Sequence, residues 1–131
     1  MSGLVYMLDS EGLSQAVLGH RAMGARLKDA DRSGIRVVTT SMTLIEAYHG
    51  RVKKAVWAWT LSKIAVEPVT GEIAGEAIEL LERAGLHGCK HAIDAALAAV
   101  ALRQRGDVTI FTSDEEDMRL LCGDRAVIKG I

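Results

Sequence analysis

Five acids fall where a fold can aim them at one point. Asp9 follows the apolar run Leu4–Leu8, and Asp114 follows Val108–Thr112. Glu46 lies within Thr43-Leu-Ile-Glu46, and Asp117 comes one helical turn after Asp114 on the same face. Asp94 is embedded in an alanine-rich stretch from His91 to Leu102 that is apolar nearly all the way round, where an ionised carboxylate is costly unless paired or bound to a cation. Gathered together, such acids repel one another, which raises their proton affinity or calls for cations. A pocket of oxygen donors suits Mg2+ or Mn2+, whereas zinc would ask for His and Cys ligands. Such a pocket suits phosphodiester hydrolysis, in which metal ions clamp phosphate oxygens, acidify an attacking water and stabilise the leaving oxygen.

The elements needed to position these acids are legible in outline. Leu4–Leu8, Ile35–Thr40, Val108–Thr112 and Ala126–Ile128 read as strands, and the β-branched stretch Lys63–Val69 as another. Ser14–Arg32 reads as helical, with two glycines able to break it, and Thr43–Trp59, Glu72–Ala84, His91–Arg105 and Asp114–Cys122 read as helices. The strands are continuous apolar runs that alternate with helices. That pattern predicts a three-layer α/β/α sandwich around a parallel, five-stranded sheet, in one domain over 1–131. In open sheets of this kind sites form beyond the carboxyl ends of strands, where Asp9 and Asp114 both fall.

Simpler roles compete for the same residues. Asp9 and Asp114 suit helix N-caps, and Thr43-x-x-Glu46 and Ser113-x-x-Glu116 both match a capping box. Asp117 reads equally as a surface carboxylate, and Asp94 as the buried partner of an arginine. A chain of 131 residues with a net charge of −1 does not advertise nucleic-acid binding, since strong phosphate binders carry a large positive excess. With 49% hydrophobic and 25% charged residues it belongs to the ordinary globular class. Cys89 and Cys122 have neither zinc-finger spacing nor a CxxC partner and read as reduced thiols. The first residues lack a basic region before Asp9, and the longest apolar run, Ala95–Leu102, is too short to span a bilayer. The expected location is cytoplasmic, with no membrane association.

The stretches Leu8-Asp-Ser10, Thr43–Gly50, Ile93-Asp-Ala-Ala96 and Phe111–Met118 together resemble the PIN-domain ribonucleases of the VapC toxin family. The resemblance runs the length of the chain, and it is carried by the order, spacing and context of motifs that are each weak alone. It implies an endoribonuclease dependent on Mg2+ or Mn2+, acting on RNA, homodimeric, and neutralised by a small cognate antitoxin. By it Asp9, Glu46, Asp94 and Asp114 are the catalytic acids, and Asp9, Asp94, Asp114 and Asp117 the metal ligands. Thr112 and Ser10 support them. Arg51, Lys53 and Lys54 form a basic turn that could meet RNA phosphates, although a solvated helix face is the commoner role for such a turn. Trp57 and Trp59 point to different sides of one helix and suit core packing or a dimer contact better than base stacking. Two other functions stay open. One is a catalytically silent PIN-like domain that binds RNA or protein. The other is a haloacid-dehalogenase-like phosphatase, suggested by Leu8-Asp9-Ser-Glu11-Gly12 but with Glu11 where that family needs a second aspartate.

Overall fold

A computed structural model describes residues 3–131. Its twelve elements run β1 (Leu4–Leu8), α1 (Ser10–Val17), α2 (Arg21–Ser33), β2 (Arg36–Thr40), α3 (Ser41–Ala47), α4 (Lys54–Leu61), β3 (Ala65–Glu67), α5 (Gly71–Ala84), α6 (Gly88–Arg103), β4 (Asp107–Thr112), α7 (Glu115–Cys122) and β5 (Val127–Gly130). All five strands are parallel, in the order β3-β2-β1-β4-β5. The chain winds outward from β1 to β3, then returns to place β4 on the other side of β1. The strand order therefore reverses between β1 and β4, and the crevice lies at their carboxyl ends.

Side-chain alternation along β1 explains the layers. Val5 and Met7 point into one core with Val38, Val108, Ile110 and residues of α5, α6 and α7. Tyr6 and Leu8 point the other way, toward Val37, Phe111, α1, α2 and α4. Helix α6 is buried without interruption from Ala95 to Ala101, because α5 and α7 flank it on the face of the sheet. Its alanines allow that close approach. Complete burial of Leu8 and Leu13 contributes roughly 1.5–3 kcal/mol each, more than the ~1 kcal/mol typical of a helix cap. The core thus sets where α1 lies, and its cap sets only where it begins.

The structure redraws four of the expected elements. The helix expected over Ser14–Arg32 is two helices, α1 starting earlier at Ser10 and α2 ending at Ser33. The break is at Gly19, whose φ of 76° is left-handed, while Gly24 continues α2. The helix expected over Thr43–Trp59 is also two, separated by an extended Tyr48 and the loop to Lys53. Helix α6 begins three residues before His91. Strand β3 is a three-residue edge, shorter than the Lys63–Val69 stretch that suggested it. Both cysteines are free, Cys89 exposed and Cys122 buried. Among the described residues no helix is long and apolar enough to cross a membrane.

Gly24 and Gly106 should respond oppositely to alanine. An added Cβ at Gly24 meets nothing within 4 Å, and a helix interior favours alanine over glycine by roughly 0.5–1 kcal/mol. At Gly106 the φ is 98° and a Cβ would collide with the backbone carbonyl of Gly3. Thermal unfolding should show Gly24→Ala raising Tm and Gly106→Ala lowering it. A Gly106→Ala variant as stable as wild type would contradict the turn that joins α6 to β4.

Candidate active site

Asp9 fastens the crevice. Its Oδ1 accepts the N–H of Gly12 at 2.8 Å, which caps α1, and its Oδ2 accepts the N–H of Ser113 at 2.9 Å from the loop after β4. The Thr112 hydroxyl also hydrogen-bonds this carboxylate while accepting the N–H of Asp114 at 2.9 Å. The capping role expected for Asp9 is real, but it occupies one oxygen; the other is tied across the strand reversal. Burial raises the pKa of Asp9, which is only 3% exposed, and the charge of Asp114 adds to the rise; the three hydrogen bonds oppose it.

Asp94 comes to the same rim from α6. It is partly exposed at the buried helix's mouth rather than sealed inside it. Its pKa is pushed up to about 7, first by burial, then by a hydrogen bond to Asp114 and by the charges of Asp114, Asp9 and Glu46. That hydrogen bond favours the protonated form of Asp94. All the charged groups acting on it are acids, which leaves the buried-arginine role without support. Four carboxylates from β1, α3, α6 and the β4–α7 junction therefore converge on one point.

Glu46 and Asp114 are the exposed members. The cap of α3 is Thr40, whose Oγ1 accepts the N–H of Thr43 at 3.1 Å and lies 2.8 Å from the Thr43 hydroxyl. Thr43 is thus inside the helix, and the capping box that would have engaged Glu46 does not form. Asp114 occupies the N-cap position of α7 without a side-chain capping bond, and Ser113 is not the cap, so its box is absent too. Both acids are free to face the crevice. Ser10 opens α1 next to Asp9 and is half-buried.

The remaining acids divide. Asp117 is 3.5 Å from Nδ1 of the buried His91, one turn before Asp94 on α6. The sequence around His91 suits a substrate contact or a helix start equally; only the packing of α6 on α7 brings it to Asp117. Glu115 pairs with Arg119 at 2.9 Å and lies against Gly130 of β5. Arg51, Lys53 and Lys54 are exposed and make no ion pair among the described residues. Trp57 is packed edge-to-face on Tyr48 at 5.1 Å between ring centres, whereas Trp59 stands 66% exposed.

The all-oxygen donor set and the crowding that protonates Asp94 fit a hard divalent cation. Among the described residues no three His, Cys, Asp or Glu side chains are drawn tightly enough to enclose an ion as they stand. An open arrangement of that kind fits Mg2+, which keeps several waters and takes only one or two carboxylates directly. Cys122 offers no competing thiolate, since burial pushes its thiol up to about 11.

The family model of the PIN domain matches residues 6–122, a span that holds all the acids above and reaches from β1 to the end of α7. The chain belongs to the PIN-domain family. Among solved structures, it is similar to VapBC2 from Rickettsia felis bound to a DNA fragment from their promoter. The TM-score is 0.69 at 17% identity, over 97% of this chain and 98% of that one. At that identity the likeness is one of fold. No curated protein matches the chain by sequence. Within a PIN domain, Glu11 has no nucleophile-loop role: it is exposed in the first turn of α1 and accepts a hydrogen bond from Gln15 at 3.3 Å.

Acid crowding makes stability depend on pH with a definite sign. Folded Asp94 keeps its proton up to about pH 7, while an unfolded aspartate loses it near 4. Between those values the folded state binds more protons, so this group's contribution falls as pH rises through that window. The metal-free protein should therefore melt higher at pH 5.5 than at pH 8. Asp94→Asn should flatten that slope and raise Tm at pH 8 by about 3–5 °C, corresponding to about 1 kcal/mol once solvent screening is allowed for. An unchanged slope in the variant would show that Asp94 is not crowded by its neighbours.

Proposed function

We propose that this PIN domain is a divalent-metal-dependent endoribonuclease of the VapC type, the toxin of a toxin–antitoxin pair. The observation that carries this reading is the convergence of Asp9, Glu46, Asp94 and Asp114 at the strand reversal, with Asp94 forced toward its protonated form. Asp9, Asp94 and Asp114 would hold Mg2+ or Mn2+, with Asp117 as the outer member of the set, oriented by His91. Bound there, the cation supplies Lewis acidity toward a phosphate oxygen and a more acidic water.

The chain's own residues have distinct tasks. Asp9 is rigid, because two backbone N–H groups and Thr112 fix both of its oxygens. Thr112 also fixes the start of α7 through the Asp114 N–H. Asp94 must release its proton to become a ligand, so occupancy of the site is proton-linked. Glu46, exposed and uncapped, is placed to accept a proton from an attacking water. Ser10, at the mouth of α1, supports the rim.

A cognate antitoxin would silence the site by presenting a basic side chain to the acidic crevice, where charge complementarity favours it. The likeness in fold to VapBC2 from Rickettsia felis supports that reading. Homodimerisation and residence in the cytoplasm belong to the same proposal. The rival reading, a silent domain that binds RNA or protein, leaves the converging acids without a purpose, since an unmetallated acidic crevice repels phosphate.

Cleavage of RNA in Mn2+ should be abolished by Asp94→Asn, by Asp9→Ala and by excess chelator, with the fold of the Asp94→Asn variant retained by circular dichroism. Millimolar Mn2+ should raise the Tm of wild type and not of Asp94→Asn, as binding to the native state alone requires. Expression without the antitoxin should be toxic, and Asp9→Ala should relieve it. Full cleavage in chelator, or no metal shift in Tm, would remove the mechanism.

A further inference from the structure

We infer that the segment from Tyr48 to Lys63 is the face along which a single RNA strand lies, its phosphates on Arg51, Lys53, Lys54 and Lys63 and an unpaired base against Trp59. The direction of the strand toward the acids rests on the nuclease reading; the binding itself does not.

Charge in this segment is one-sided. Between Glu46 and Glu67 the chain has no carboxylate, yet it carries these four cations. All four are exposed, and none makes an ion pair among the described residues. They are not neutralised by the protein, so a polyanion meets them at full charge. The segment is also continuous with the site. Tyr48 ends α3 two residues after Glu46, so the basic loop starts next to the acids. From there α4 extends for eight residues, about 12 Å.

Two of the lysines work against the helix they begin. Lys53 is the N-cap of α4, has the extended backbone of a cap, and makes no capping bond. Lys54 follows in the first turn, with no acid beside it. Ser or Asp would suit the first position and an acid the second, because the helix N-terminus carries partial positive charge. These side chains therefore lower the stability of α4, and neither makes an ion pair among the described residues.

Trp59 supplies the apolar element. Trp57 is the packed indole of the pair, while Trp59 is turned outward, with the Lys63 Nζ 5.8 Å from its ring centre. An exposed aromatic ring with a lysine beside it is the usual platform for a single strand. What favours a polyanion over a protein is the three exposed lysines, a residue depleted from protein–protein interfaces, with no acid between Glu46 and Glu67 to balance them.

The test is binding of a fluorescent single-stranded RNA to the full chain in chelator, so that no cutting occurs. Trp59→Ala should weaken binding roughly 5- to 150-fold, the range for removing one stacked base. Lys53→Ser with Lys54→Ala should reduce the salt slope of log Kd by about 1.4, near 0.7 for each phosphate no longer neutralised. That double variant should also melt higher than wild type, so weaker binding cannot come from misfolding. Wild-type affinity in both variants overturns the inference, as does an RNA duplex binding as tightly as the strand. Absence of RNA binding, with tight capture of an acidic amphipathic peptide through Trp59, overturns it in favour of a protein-docking face. Binding that follows these expectations in a protein that never cleaves RNA would sustain the inference and sink the nuclease reading instead.

Discussion

Mutual repulsion among carboxylates at the β1–β4 reversal is the constraint around which this molecule is arranged. A rim that gathers Asp9, Glu46, Asp94 and Asp114 is electrostatically uphill, and the pKa of about 7 at Asp94, raised first by burial and then by these neighbours, is the visible consequence. The fold tolerates it because each acid is fixed to a different element. Asp9 is locked by Gly12, Ser113 and Thr112; Asp94 rides on a helix buried for seven consecutive residues from Ala95 to Ala101. Protonation of Asp94 relieves part of the repulsion without moving the backbone. Relief by a cation would use the same oxygens and leave the scaffold as it is, which is the meaning of preorganisation here.

The parallel sheet and the positions of Asp9 and Asp114 are legible in the sequence because both depend on local signals. An apolar run that stops at an aspartate marks a buried strand and the residue beyond its carboxyl end. Asp94 is legible for a different reason, being the one charged residue in a stretch too apolar to lie on a surface. What the sequence leaves unresolved is decided by contacts between distant segments. Gly19 and Gly24 look alike in the chain, yet only Gly19 breaks the helix, because α1 and α2 must pack Val17 and Met23 into one core. The split of α3 from α4 follows from burying Val52 and seating Tyr48 on Trp57, neither of which has a periodic signature.

Capping shows the same limit at smaller scale. Two capping boxes are readable around Glu46 and Glu116, and neither forms. Thr40 takes the cap of α3 because strand β2 runs straight into that helix, and the sheet, not the box, fixes where extended backbone ends. The failure of the box is what releases Glu46 toward the crevice. The link between His91 and Asp117 is likewise hidden from the sequence, since it exists only where α6 and α7 touch.

Net charge is the least informative number in the sequence. A value of −1 suggests indifference to nucleic acid, but it is a sum over segregated regions. Four acids gather at the strand reversal, while the twenty residues from Ala47 to Val66 contain cations and no carboxylate. At physiological ionic strength charges are screened beyond about 8 Å, so an approaching strand responds to the region it faces and not to the total. A carboxylate crevice alone would repel RNA; in the proposed reading the adjacent basic face, which keeps its lysines at the wrong end of α4, would supply the attraction the crevice lacks. The two features oppose stability in different ways, one by crowding acids and the other by leaving a helix uncapped. Each makes physical sense only when the other is present beside it.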